Sequence, residues 1–197
     1  MKAVDLKAEI LGWLRFVRKQ EIVCTEVGHW NADCWGLNET RLIEVETKVT
    51  LADLKADFKK EKHRAYAVGA HAPNLFYFAV PADLEIPAAA VLEERVAEGA
   101  VSKYGLVVVT GFGFLGRNTK EIRVAKKLHE NPPPDYVRRA ALLRQSSEIC
   151  GLHQQLGNWR RVIDSAAAEL AAATRMLYDE ADRLRDQRVD EEVTKDV

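Results

Sequence analysis

Two short runs, residues 75–80 (LFYFAV) and 105–110 (GLVVVT), contain no charged side chain. A strand with one wet face alternates apolar and polar residues, whereas a continuous apolar run suits a strand inside a sheet covered on both faces. The chain is therefore expected to build a central sheet with helices packed on either side. The flanking pattern agrees. Leu6, Ile10, Trp13, Leu14 and Val17 recur at helical spacing over residues 2–19. Residues 21–27, 32–37 and 41–49 read as a three-strand meander, with turns at 28–31 and 38–39. Thr50, with Asp53 three residues on, caps a helix over 51–68. Pro81 ends the first apolar strand, a helix follows near 88–98, and an edge-like strand covers 121–125. Strands alternating with helices in this order predict an α/β fold with a central mixed sheet.

Pro132–Pro134 closes the core, because three consecutive prolines forbid helix and sheet pairing alike. The predicted organisation is a domain over 1–131, a helical segment over 138–188 and a polar tail over 189–197. In the helical segment Ile149, Leu152, Leu156, Trp159, Ile163, Ala166, Leu170, Ala173 and Leu177 alternate spacings of three and four, and Leu184 resumes the register. That period favours a coiled-coil seam. The seam either pairs two copies into a homodimer or packs on its own domain.

Composition excludes several classes. The 197 residues hold 29 Lys and Arg against 30 Asp and Glu, a net charge of -1, so no global basic field attracts nucleic acid and any such contact needs a local patch. Cys24, Cys34 and Cys150 are odd in number and lack C-x-x-C spacing, which argues against a disulfide framework or zinc site and for reduced, buried thiols in a cytoplasmic protein. Charges at Lys2, Asp5, Lys7, Glu9 and Arg15 interrupt any signal-peptide core. No stretch approaches the length of a membrane helix.

The informative stretch is 32–48. Glu44, Glu46 and Lys48 fall at alternate positions of the third strand and share one face, with Ile43, Val45 and Val49 on the other. Burying three ionisable groups on one face is expensive unless they act together. Two carboxylates beside a lysine suit a hard divalent cation, and Asp33 on the neighbouring strand can add an oxygen ligand. Phosphodiester hydrolysis uses such a set. The plainer reading is a solvated edge-strand face with cross-strand ion pairs. Glu44 either stands behind the pair or faces solvent.

The run TEV, ADCWGL, IEVETKVTLADLKADFKK, NLFYFAVP and GLVVV resembles the PD-(D/E)XK nuclease superfamily, and within it the MmcB-like DNA repair family and its phage relatives. The likeness covers about residues 25–109. It implies a restriction-endonuclease-like core, Asp33 and Glu46 as ligands of Mg²⁺ or Mn²⁺, Lys48 as the catalytic lysine and Glu26 as an assisting acid. Ala32 stands where the superfamily name expects proline. The implied activity is metal-dependent cleavage of DNA in repair, recombination or phage DNA metabolism; the alternative is a non-catalytic DNA-binding module or coiled-coil adaptor.

Lys55, Lys59, Lys60, Lys62 and Arg64 follow the site and are expected to neutralise a DNA backbone. Asp53, Asp57 and Glu61 would balance them if that helix face is merely solvated. His29 and Trp30 sit on the turn before Asp33. The glycines of 110–117 (TGFGFLGR) lack the Gly-Lys-Ser/Thr of a phosphate loop and read as a turn.

Overall fold

The computed structural model describes residues 1–113 and 115–195. Six strands form one mixed sheet in chain order: β1 (Ile22–Cys24), β2 (Cys34–Leu37), β3 (Leu42–Thr47), β4 (Leu75–Pro81), β5 (Gly105–Val109) and β6 (Thr119–Arg123). β1, β2 and β3 are antiparallel, β3, β4 and β5 run parallel, and β6 returns antiparallel at the edge. The expected α/β class with a helix-flanked mixed sheet is present. Both apolar runs occupy inner strands, and every residue of β4 and β5 is buried. Pro81 ends β4 from within the strand. It is the strand's last residue, opposite Val109.

The two faces of the sheet follow the parity of β3 and β4. Ile43, Val45, Tyr77 and Ala79 pack against Leu6, Ile10, Trp13 and Leu14 of α1 (Ala3–Gly12) and the π-turn Trp13–Val17 that extends it. This turn is closed by the Arg18 amide donating to the Trp13 carbonyl. Gly116 tucks against it. Its φ is +62°, and a Cβ there would lie 2.0 Å from the Trp13 nitrogen, so this turn glycine is required. Phe76, Phe78, Val80, Leu106 and Val108 face the other way, against Leu54, Tyr66, Val91 and Leu92 from α2 (Leu51–Asp57), α3 (Glu61–Ala67) and α4 (Glu85–Glu94).

The single helix expected over 51–68 is two helices. Thr50 caps the first as foreseen, its hydroxyl accepting from the Asp53 amide at 3.1 Å. The break at 58–60 has a tertiary cause: Asp57, the last residue of α2, is drawn into the interior by cationic partners described below. Its carbonyl accepts from the Lys60 amide at 2.9 Å as the chain turns.

The last helix, α5 (Asp135–Lys195), begins directly after Pro134, where a proline just ahead of a helix start costs no intrahelical bond. It runs through the region expected to be a polar tail up to Lys195; residues 196–197 lie outside the described part. The chain divides into two compact units between Glu148 and Ile149, not at the prolines. In the first, Ala141 of α5 packs with Ile22, Trp35, Leu37 and Leu42. In the second, Ile149, Leu152, Leu156, Trp159, Ile163, Leu170 and Leu177 are exposed; the side chain of Leu184 lies outside the described part. Cys24 and Cys34 are buried as expected, but Cys150 is exposed. Among the described residues no helix is long and apolar enough to cross a membrane.

Candidate active site

Glu44 and Glu46 lie on the α2–α3 face of β3, opposite Phe76 and Phe78 of β4. Lys48 follows on the same side, its amide held by the Ala79 carbonyl. All three are buried, with Glu46 4% and Lys48 3% exposed. The solvated edge-strand reading therefore fails: β3 is an inner strand, and these charges sit inside.

They survive there by pairing. The Lys48 ammonium lies 3.0 Å from Glu46 Oε2 and 2.5 Å from Asp57 Oδ2. Lys62 Nζ lies 2.6 Å from Glu46 Oε1, 3.6 Å from Glu44 and 3.8 Å from Asp57. Lys60 reaches the same Asp57 oxygen from the surface at 2.5 Å. His63 Nε2 stands 2.8 Å from Asp57 Oδ1, and its Nδ1 stands 2.9 Å from the Tyr104 hydroxyl. The tautomer protonated at Nε2 donates to Asp57 and accepts from Tyr104. Three carboxylates thus face three ammonium groups and an imidazole.

The electrostatics follow from this geometry. Burial would lower the pKa of Lys48, but Glu46 and Asp57 override it and hold the ammonium well above its ordinary range. Burial would raise the pKa of Asp57, but His63, Lys62, Lys48 and Lys60 hold it far below the usual carboxylate range. Glu44 is different. Burial pushes its pKa up to about 7 against the opposing pull of Lys62. Its oxygens accept the Tyr66 hydroxyl at 2.9 Å and, more distantly, the Trp35 indole at 3.4 Å.

Asp33 stands at the same end of β3 but in other company. Regular pairing of β2 with β3 begins at Cys34, and Asp33 bends away from it. Its Oδ2 accepts both the amide and the hydroxyl of Thr47 at 2.9 Å, and its Oδ1 pairs with Lys7 at 2.9 Å. Burial opposes ionisation, yet Lys7 and Thr47 lower its pKa. Lys7 also lies 3.6 Å from Glu26. Glu26 is exposed, has a φ of +50°, and meets Arg144 at 3.4 Å.

The expected residues therefore form two groups on either side of Thr47: Glu46 with Lys48, and Asp33 with Glu26 through Lys7. Lys62 joins the first group. It is buried, so it leaves the set expected to touch DNA; Lys55, Lys59, Lys60 and Arg64 remain exposed. Asp57, His63 and Tyr66 were not singled out from sequence. In sequence Asp57 stands out only as a counter-charge to the lysines should the helix face be solvated; in the fold it is buried beside Lys48.

The fit to a divalent cation is poor as the side chains stand. Both oxygens of Asp33 are engaged, by Lys7 and Thr47, and both of Glu46 by Lys48 and Lys62. Among the described residues no group of three His, Cys, Asp or Glu side chains could hold a metal ion. No family model, curated protein or solved structure matches this chain.

Proposed function

We propose that this chain is a DNA-cleaving enzyme of the PD-(D/E)XK type, with Glu46, Lys48 and Asp33 at the end of β3 as its centre. The observation that carries the reading is the Glu46–Lys48 pair, 3.0 Å apart and almost wholly buried on an inner strand. Such a pair adds little net stability compared with apolar residues of similar volume, so it is better explained by chemistry than by folding. The order helix, three antiparallel strands, two short helices, parallel strand also supports a restriction-endonuclease-like core. In this reading Lys48, kept charged by its carboxylates, stabilises charge developing on a phosphate oxygen. Exposed Lys55, Lys59, Lys60 and Arg64 hold the backbone. Dependence on Mg²⁺ or Mn²⁺ is part of the proposal. It requires Lys7 to release Asp33 and Lys62 to release Glu46.

One observation favours a second reading. Carboxylates saturated by lysines suit a fold that binds DNA without cutting it. Purified protein incubated with single-stranded, duplex, flap and junction DNA in Mg²⁺, Mn²⁺ or EDTA separates the two. Cleavage that disappears in EDTA and in both Glu46→Gln and Lys48→Ala is the expected result. Lys59→Ala with Lys60→Ala weakens binding and reduces the slope of log affinity against log salt by about one per lost phosphate contact. Binding with no cleavage under any condition selects the second reading.

The exposed seam of α5 supports pairing with a second copy of the chain, since a long apolar stripe in water is otherwise costly.

A further inference from the structure

Glu44 does not belong to the charge network alone. It also lines a cavity of about 700 Å³ whose other walls include Trp30, Trp35, His71, Asn74 and Tyr136. That volume lies within the range of small-molecule sites. The walls are unusually flat and aromatic. The His29 and His71 rings stack with centroids 4.4 Å apart, and Trp30 meets His29 edge-on at 4.5 Å. Both histidines are exposed, whereas Trp35 and Glu44 are buried.

Two polar features within the lining are incompletely used. The indole N–H of Trp30 is buried with no hydrogen-bond partner among the described residues. Glu44 receives one hydroxyl proton, from Tyr66, shared between its oxygens, and one long indole bond, from Trp35. A carboxylate offers about four acceptor sites, so capacity remains for an amino donor. Asn74, by contrast, is spent: its Oδ1 accepts from the Leu42 amide and its Nδ2 donates to the carbonyls of His129 and Asn131.

We infer that this cavity receives one unpaired nucleobase carrying an exocyclic amine, stacked on the Trp30 side and donating to Glu44. Planar rings of either purines or pyrimidines stack on aromatic side chains, and a carboxylate accepts well from an amine such as that of cytosine. The placement links the pocket to the proposed chemistry. Glu44 precedes Glu46 by two residues on one face of β3, and Lys62 approaches both, at 3.6 Å and 2.6 Å. A strand with one base in the cavity thus has its backbone near the Glu46–Lys48 pair. The inference rests on nucleic acid being the ligand, and it names the form: single-stranded or locally unpaired.

The test is equilibrium binding in EDTA, read by fluorescence anisotropy with short single strands whose central position is cytosine, thymine or abasic. Binding to the central cytosine is expected to be at least tenfold tighter than to the abasic strand and several-fold tighter than to thymine. Trp30→Ala removes the first preference and Trp30→Phe restores much of it. Tyr136→Ala, on an exposed residue that the fold does not need, weakens it without risk to folding. Glu44→Gln erases the preference for cytosine over thymine. Equal affinity for cytosine and abasic strands in the wild type overturns the pocket while leaving the cleavage assay untouched. Base preference without cleavage under any condition leaves the pocket standing and removes the nuclease. Competition by a tryptophan-containing peptide, but not by cytidine monophosphate, overturns the assignment in favour of a protein ligand.

Discussion

Within the first 148 residues one strand face hides charge, and the helix from Ile149 onward displays apolar side chains. Around β3, three carboxylates and two lysines lie buried within a few ångströms of one another. Along α5, Leu156, Trp159, Ile163 and Leu170 are each more than 60% exposed. Neither region obeys the rule that apolar residues go inside and charges outside, and the reasons differ. A buried charge needs a partner within its own fold, because desolvation is otherwise ruinous. An exposed apolar side chain costs less individually, so it can wait for a partner from elsewhere. The first region should be sensitive to single substitutions, the second tolerant of them in its folding and sensitive only in its association.

The largest effect is expected at Asp57. Its carboxylate faces Lys48, Lys60, Lys62 and His63, so Asp57→Ala leaves two buried ammonium groups undercompensated. Removing one partner of a buried ion pair typically costs about 3–5 kcal/mol. Urea unfolding should show a loss in that range, while Asp53→Ala, at the exposed helix start, costs far less. If Asp57→Ala is as stable as wild type, the network is not what holds the α2–α3 corner. The same logic changes the expectation for Glu46. With ammonium groups on both oxygens, Glu46→Gln should lower stability as well as activity, so cleavage assays on it need a folding control.

A second, smaller effect concerns pH. Glu44 titrates near 7 in the folded chain because burial penalises its charge, against about 4.3 in an unfolded one. Between those values the folded state holds the extra proton, so stability from this group is full below about pH 4.3 and is lost as pH rises through 7. Lys48 and Asp57 keep their charges across that window, since one is raised and the other lowered. Denaturation midpoints measured from pH 5 to 8 should therefore fall more steeply in wild type than in Glu44→Gln. Parallel curves would mean that Glu44 stays ionised throughout.

How much of this was legible depended on whether the controlling contact was local. The inner strands β4 and β5 announce themselves, because an uncharged run has no wet face to offer. The sharing of one face by Glu44, Glu46 and Lys48 follows from strand geometry alone. The break after Asp57 does not, since Leu54 and Phe58 continue the helical pattern across it, and the partners that hold Asp57 inside, Lys48, Lys60, Lys62 and His63, are brought together only by the fold. Lys62 was misplaced for the same reason: a lysine among lysines on a helix defaults to water until Glu46 is seen beneath it. Asp33 kept its strand neighbourhood but not its company, because Lys7 lies 26 residues away in sequence. Cys150 shows the limit of residue preference. Free cysteine tends to be buried, but Cys150 on α5 is exposed.

The smallest effect on folding and the clearest on association should come from the α5 seam. Leu156 and Ile163 lie on the three-four register, whereas Val162 is equally exposed off it, at 59% against 65% and 63%. Exposed substitutions usually move stability by less than about 0.5 kcal/mol. Leu156→Glu with Ile163→Glu should therefore leave the unit of residues 1–148 unfolding at the wild-type denaturant concentration, and so should Val162→Glu. Only a partner helix distinguishes the three. If two copies pair along the register, the double variant scatters light as a monomer at concentrations where wild type and Val162→Glu are dimers, because two acidic side chains at a coiled-coil seam desolvate and repel. Helix content near the substitutions should fall with the pairing, since an isolated helix draws little stability from propensity alone and Gly151 and Gly157 weaken this one. A wild-type chain that is already monomeric would end the dimer proposal. A Val162→Glu variant that dissociates as readily as the double one would keep self-association but move its contact off the three-four register.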